Sequence, residues 1–208
     1  MEINKIITKS EQNEMTPDQV LNDLLSGNER FVTDELNHKS NKSLVESATG
    51  GQNPKAIILS CVDSRVPVET VLDQAIGDIF VSRVAGNFEN TDIIGSMEYA
   101  CKVAGSKLVF VIGHESCGAV SAACDGVELG NITSMLENIK PAVNGVEVEG
   151  EKSSKNPEFV QAVVEKNVEL TMNRIREKSS ILNEMEANGE IKIVGGVYSL
   201  KTGKVEML

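Results

Sequence analysis

The chain contains no tryptophan, and phenylalanine and tyrosine together bring the aromatic residues to only 3%. The stacking platforms on which single-stranded nucleic acids are bound are therefore missing. Positive charge is also scarce. Twenty basic residues stand against 31 acidic ones, giving a net charge of −11, and no basic cluster offsets it, so a polyanion would be repelled. No apolar run approaches the ~18 residues needed to cross a bilayer. The longest, such as Lys107–Ile112, end within a few residues at glycine or charge. Met1–Gln12 carries two lysines but little apolar content beyond Ile6-Ile7, so it does not read as a secretory signal. Four cysteines (Cys61, Cys101, Cys117 and Cys124) are too few for a disulfide scaffold in a chain of this length. They read as reduced thiols or metal ligands, and a cytoplasmic setting is expected.

What the chain does have is a regular alternation of strand and helix signals across 208 residues, 40% of them hydrophobic. That suits one α/β domain over residues 1–208, with a helical arm over about 16–36. Thr16-Pro17 opens an amphipathic helix, running to about Arg30, through Val20, Leu21, Leu24 and Leu25. Residues 37–55 are polar and broken by Gly50-Gly51 and Asn53-Pro54, which predicts a loop. Strands are predicted over Ala56–Ser60, Ile79–Val84 and Lys107–Ile112, the last stopping at Gly113, with a helix over Thr91–Val103. Small residues from Gly118 to Ala123 suit a helix packed closely on a sheet. A further loop is expected over 141–157 and a long amphipathic helix from Glu158, its apolar face carrying Val160, Val163, Val164, Val168, Met172 and Ile175. Ile191–Tyr198 and Val205–Leu208, joined through Gly203, read as a strand pair. The expected architecture is a mostly parallel central sheet flanked by helices, with an antiparallel C-terminal edge strand.

In such a sheet the chemistry gathers beyond the carboxyl ends of the strands. The first strand delivers Cys61-Val62-Asp63-Ser64-Arg65 there, and the third delivers His114-Glu115-Ser116-Cys117. Two thiolates and an imidazole form a suitable first shell for zinc, and three protein ligands with an open fourth position mark a catalytic site. Either fragment alone is weak, since an isolated His-x-x-Cys is usually incidental. Their arrival at two strand ends is far more specific.

Cys61-Val62-Asp63-Ser64-Arg65-Val66-Pro67 and Gly113-His114-Glu115-Ser116-Cys117-Gly118 resemble the two signature motifs of β-carbonic anhydrases. The similarity continues through Gly77–Asn87 and Glu98-Tyr99-Ala100, so it is dense over roughly residues 50–125. The resemblance implies zinc held by Cys61, His114 and Cys117, with Asp63 and Arg65 as a dyad beside it. It implies reversible hydration of CO₂ to bicarbonate through a zinc-activated water, in a homodimer often paired into a homotetramer. One subtype of the family builds an inhibitory bicarbonate site from a Trp three residues before the first cysteine, an Arg and a Tyr. Ile58 replaces that Trp here, although Arg83 and Tyr99 are present. Gln52, Phe80 and Tyr99 match instead the residues lining the CO₂ pocket of the plant-like subtype, partly from the neighbouring subunit.

Other readings of the same residues compete with this one. Carbonyl sulfide or carbon disulfide could be the substrate of the same ligand set. Cys61, His114 and Cys117 could form a structural zinc module, but this needs a fourth ligand, and the only nearby donor is Asp63. A thiol redox enzyme would need the Cys-x-x-Cys motif that the chain lacks. Cys101 reads as a small core residue and His38 as a solvated loop residue. Asp63 with Arg65 could be a structural ion pair, and Phe80 and Tyr99 could be ordinary core and interface residues.

Overall fold

The computed structural model of the chain describes residues 2–3 and 5–208. Its main sheet has five strands: β1 (Ala56–Ser60), β2 (Ile79–Arg83), β3 (Leu108–His114), β4 (Lys192–Tyr198) and β5 (Val205–Met207). They lie in the order β2-β1-β3-β4-β5, the first four parallel and β5 antiparallel to β4. Every residue of β1 and β3 is buried, which explains why these central strands read as continuous apolar runs without alternation.

The two faces of the sheet carry separate cores. Ile58, Phe110 and Ile112 point to one side, against Val20 and Leu24 of helix α1 (Pro17–Val32). Ile57, Leu59, Val109 and Val111 point to the other, against Met97 of α2 (Thr91–Glu98) and Val163, Val164 and Val168 of α4 (Pro157–Lys178). Between them in sequence, α3 (Gly118–Cys124) starts immediately after Cys117, and α5 (Ser180–Ala187) follows α4. α1 begins with a reciprocal capping box between Thr16 and Gln19 and has Pro17 in its first turn. α4 is capped by the Asn156 side chain ahead of Pro157. It presses onto β3 at Gly113, where a Cβ would come within 2.8 Å of Val168 Cγ2 and 3.2 Å of Val164 Cγ1. That glycine lets the helix lie directly against the strand that delivers His114.

Several boundaries differ from the sequence reading. β3 runs two residues beyond Ile112, because Gly113 and His114 pair with Val197 and Tyr198 of β4. The expected helix over Thr91–Val103 is α-helical only to Glu98 and continues as a π-helical turn over Tyr99–Val103. The stretch 37–55 is not simply loop: His38–Lys39 pairs with Glu2–Ile3, and Asn41–Ala48 forms a helix that buries Leu44. Helices over Gly130–Leu136 and Ser180–Ala187, and a short one over Lys140–Asn144 at the start of the expected loop 141–157, were not signalled by periodicity. Each is only two turns or so, too short for an apolar stripe to show. Among the described residues, no helix is long and apolar enough to cross a membrane.

Candidate metal centre

β1 ends at Ser60, so Cys61 stands at its carboxyl edge, and β3 brings His114 to the same edge from the neighbouring position in the sheet. The chain then turns through Ser116, a non-glycine residue at φ +53°, and places Cys117 at the start of α3. Positive φ in a residue with a side chain is strained, and here the strain allows His114 and Cys117, three residues apart, to converge. One ligand atom from each of Cys61, His114 and Cys117 lies within 4.8 Å of the others, and all three residues are buried.

The geometry fits a tetrahedral cation. Two sulfurs bound to zinc at ~2.3 Å stand about 3.8 Å apart, and Cys61 Sγ and Cys117 Sγ are separated by 3.9 Å. His114 is fully buried, and its Nδ1 lies 2.9 Å from the Glu115 carbonyl, to which it donates. This fixes the tautomer and leaves the Nε2 lone pair free to coordinate. Nε2 has no hydrogen-bond partner among the described residues, a cost for a buried polar atom that coordination would remove. Between the sulfurs, the hydrogen bond from Cys117 draws the Cys61 thiol down to about 4, helped by His114 and the Gly86 N–H against the opposing effect of burial. Cys117 is driven upward by that same bond to Cys61 and by burial. A cation between them would displace the remaining proton.

Asp63 lies on the rim of this cluster. Arg65 grips it as a fork: its Nε and backbone N–H donate to Oδ1, both at 2.9 Å, and its Nη2 donates to Oδ2 at 2.7 Å. These bonds hold the Asp63 carboxyl well below the usual carboxylate range. Oδ2 remains 3.9 Å from His114 Nε2, close to the ligands yet engaged with the guanidinium. A second arginine secures the backbone beneath. Arg83 Nε donates to the Cys61 carbonyl at 2.8 Å and its Nη2 to the Asp63 carbonyl at 2.6 Å.

Of the expected pocket residues, Phe80 and Tyr99 come together edge to face, their ring centroids 6.1 Å apart. They line an open groove of about 580 Å³ that also touches Ile57, Ser82, Thr91 and Ser96. Gln52 is exposed in the loop before β1 and is not among the residues lining that groove within one chain. Ile58 is buried in the core on the α1 face. Cys101 is a buried core thiol as expected, and His38 is exposed as expected but lies in a short strand rather than a loop.

Sequence reasoning missed the supports. Glu115 accepts from Ser199 Oγ and the Leu200 N–H, both at 3.0 Å, and so ties the ligand loop to the end of β4. Asn167 of α4 donates to the Gly86 carbonyl at 2.8 Å. A signal for Asn167 was available, since it interrupts the apolar face of α4 between Val163, Val164, Val168 and Thr171.

A family profile described as carbonic anhydrase matches residues 56–205. The chain is 38% identical over 189 residues to carbonic anhydrase 2 of Mycobacterium tuberculosis, covering 87% of each chain. It is 34% identical to a carbonic anhydrase of Mycolicibacterium smegmatis, covering 88% of this chain and 89% of the relative. Among solved structures, a β-carbonic anhydrase of Aspergillus fumigatus superposes with a TM-score of 0.69 at 25% identity, over 80% of this chain and 81% of that one. One described among two tetrameric β-carbonic anhydrases of Sordaria macrospora does so with a TM-score of 0.69 at 26% identity, over 81% and 87%.

Proposed function

The chain belongs to the β-carbonic anhydrase family, and on that premise we propose that Cys61, His114 and Cys117 hold its zinc while Asp63 and Arg65 govern the reaction beside it. It is a carbonic anhydrase, a lyase that interconverts CO₂ and bicarbonate with zinc as cofactor. The observation that carries the ligand assignment is the convergence of two sulfurs 3.9 Å apart with a buried imidazole whose Nε2 is unpartnered among the described residues, one ligand atom from each residue lying within 4.8 Å of the others. Held by these three residues, zinc would supply the Lewis acidity that lowers the pKa of a water and makes it a nucleophile.

The roles of the protein groups follow from their charge and placement. Asp63, held far below neutral pH by Arg65, is a poor proton acceptor at pH 7 but a strong hydrogen-bond acceptor. It would orient the nucleophilic water by accepting a hydrogen bond from it without taking the proton. Arg65 keeps the carboxylate ionised and engaged, so that Asp63 would not compete with water for a zinc held by Cys61, His114 and Cys117. The ring faces of Phe80 and Tyr99 give CO₂, which carries no donor, an apolar wall. Gln52 completes the plant-like pocket from a neighbouring subunit.

That last role requires an oligomer. Tyr99, Val103 and Val62 are 53%, 70% and 57% exposed in the single chain, and apolar surface beside a pocket is the kind that a second copy covers. We assign a homodimer as the working unit, with a homotetramer as the larger assembly, in line with the tetrameric relatives from Sordaria. We read residues 1–208 as one domain and its setting as cytoplasmic, where two thiolate ligands remain reduced. Neither nucleic acid nor membrane is a partner.

Stopped-flow hydration of CO₂, with carbonyl sulfide as the competing substrate, tests the reading. Turnover of CO₂ with little hydrolysis of carbonyl sulfide is the expected result, and the reverse preference would reassign the substrate while leaving the metal site intact.

A further inference from the structure

We infer that Asn167, a residue of the long helix with no place in the ligand set, is a positioning residue that sets the metal's environment by holding Gly86 against the Cys61 sulfur. This inference rests on the ligand assignment above. Asn167 is 1% exposed on a buried helical face made, apart from Thr171, of apolar side chains such as Val160, Val163, Val164, Val168 and Ile175. A buried amide on such a face is costly unless it is paired. Only half of it is paired: Nδ2 donates to the Gly86 carbonyl at 2.8 Å, while Oδ1 has no partner among the described residues. A leucine of similar size would relieve Oδ1 but would strip the buried Gly86 carbonyl of the donor that Nδ2 supplies, so the amide is tied to that carbonyl.

What the amide does is fix one peptide. Gly86 sits at φ +82°, where a side chain is disfavoured, and a Cβ there would overlap Ile139. The following residue, Asn87, is also at positive φ (+40°), and its N–H closes a turn onto the Val84 carbonyl at 2.9 Å. In this strained turn the Gly86 N–H points at Cys61 Sγ, 3.4 Å away. Asn167 therefore holds the carbonyl of the residue whose N–H bonds the ligand sulfur. Arg83, at the start of the same segment, holds the Cys61 carbonyl, so sulfur and backbone of this ligand are both secured from residues 83–86. The Gly86 N–H fixes where the Cys61 sulfur points, and loss of an outer contact that orients a ligand typically costs about 10–100-fold in metal affinity.

The test uses the full chain loaded with cobalt(II) in place of zinc, whose thiolate-to-metal absorption reports on the sulfurs directly. Wild type must first show that absorption, and if it does not, the ligand assignment fails rather than the role of Asn167. In Asn167→Leu the band should shift and the metal should pass to a chelator about tenfold faster. Ile175→Val, a buried change eight residues along the same helix, should leave both unaltered. Asn167→Ala, which removes the amide without adding bulk, asks the same question if the leucine variant misfolds. A folded variant with the wild-type band and release rate would overturn the inference. So would misfolding of both variants, which would make Asn167 a core residue and nothing more.

Discussion

Asp63 has two partners within reach, the guanidinium of Arg65 and the metal position, and the fork from Arg65 decides between them. Asp63→Asn keeps the shape but loses the negative acceptor, so hydration at alkaline pH should fall by up to about 10²–10⁴-fold. Because the variant also lacks a carboxylate able to bind zinc, its loss of rate on acidification should be shallower than that of wild type. Arg65→Ala should do the opposite: it frees Asp63 to close on the metal, giving an inactive protein that keeps its zinc. Paired pH–rate profiles with metal content measured on the same samples decide this, and wild-type rates for Asp63→Asn at alkaline pH would return the pair to an ordinary ion bridge. At this scale the clustering of Cys61, His114 and Cys117 and the pairing of Asp63 with Arg65 were legible in the sequence because two contiguous motifs carry them. Arg83, Glu115 and Asn167 were not, because their contacts span the chain and depend on register and helix placement.

At the level of elements, the site depends on how closely α4 approaches β3. Gly113→Ala would drive a methyl to 2.8 Å from Val168 Cγ2, and overpacking of this kind costs about 1–3 kcal/mol. The urea midpoint should drop accordingly, and an unchanged midpoint would mean that the helix moves aside freely. At the other face, Thr16→Ala should cost about 1 kcal/mol by removing the capping box of α1. The elements found correctly from sequence are those with strong local signals: Thr16-Pro17 before α1, the apolar runs of β1 and β3, and the face of α4. The π-helical turn at Tyr99–Val103 was missed because its residues have the composition of the α-helix before it. The helix at Asn41–Ala48 was missed because it buries a single leucine in an otherwise polar stretch.

For the molecule as a whole, acid should act through buried carboxylates in opposing directions. Asp73 is fully buried by its side chain and receives Lys39 Nζ at 2.5 Å and Arg30 Nε at 2.6 Å. Although burial alone would raise it, these cations and the Asn37 N–H hold its carboxyl below the usual range. A lowered folded-state value means that this stabilisation is present above the unfolded value near ~4 and is lost as pH falls through the folded one. Asp78 has the opposite sign: burial raises its carboxyl, so the stability tied to its protonated form is lost as pH rises. Asp73→Asn should therefore lower stability at neutral pH and flatten its decline below about pH 4. Chemical denaturation across that range checks this, and an unchanged slope would show that the pair contributes nothing to acid sensitivity. Assembly belongs to this scale as well. Dilution to a monomer should reduce turnover per chain, since Gln52 is expected to act across the interface, and a monomer with full turnover would contradict that arrangement.

The most direct test of the metal centre is zinc content and CO₂ hydration, measured together on wild type and on Cys61→Ala/Cys117→Ala. Wild type should carry one zinc per chain, with activity rising from about pH 7 towards pH 9 because two thiolates offset the metal's charge. The double variant should lose both the metal and the activity. Full zinc occupancy with undiminished hydration in the double variant would contradict the account.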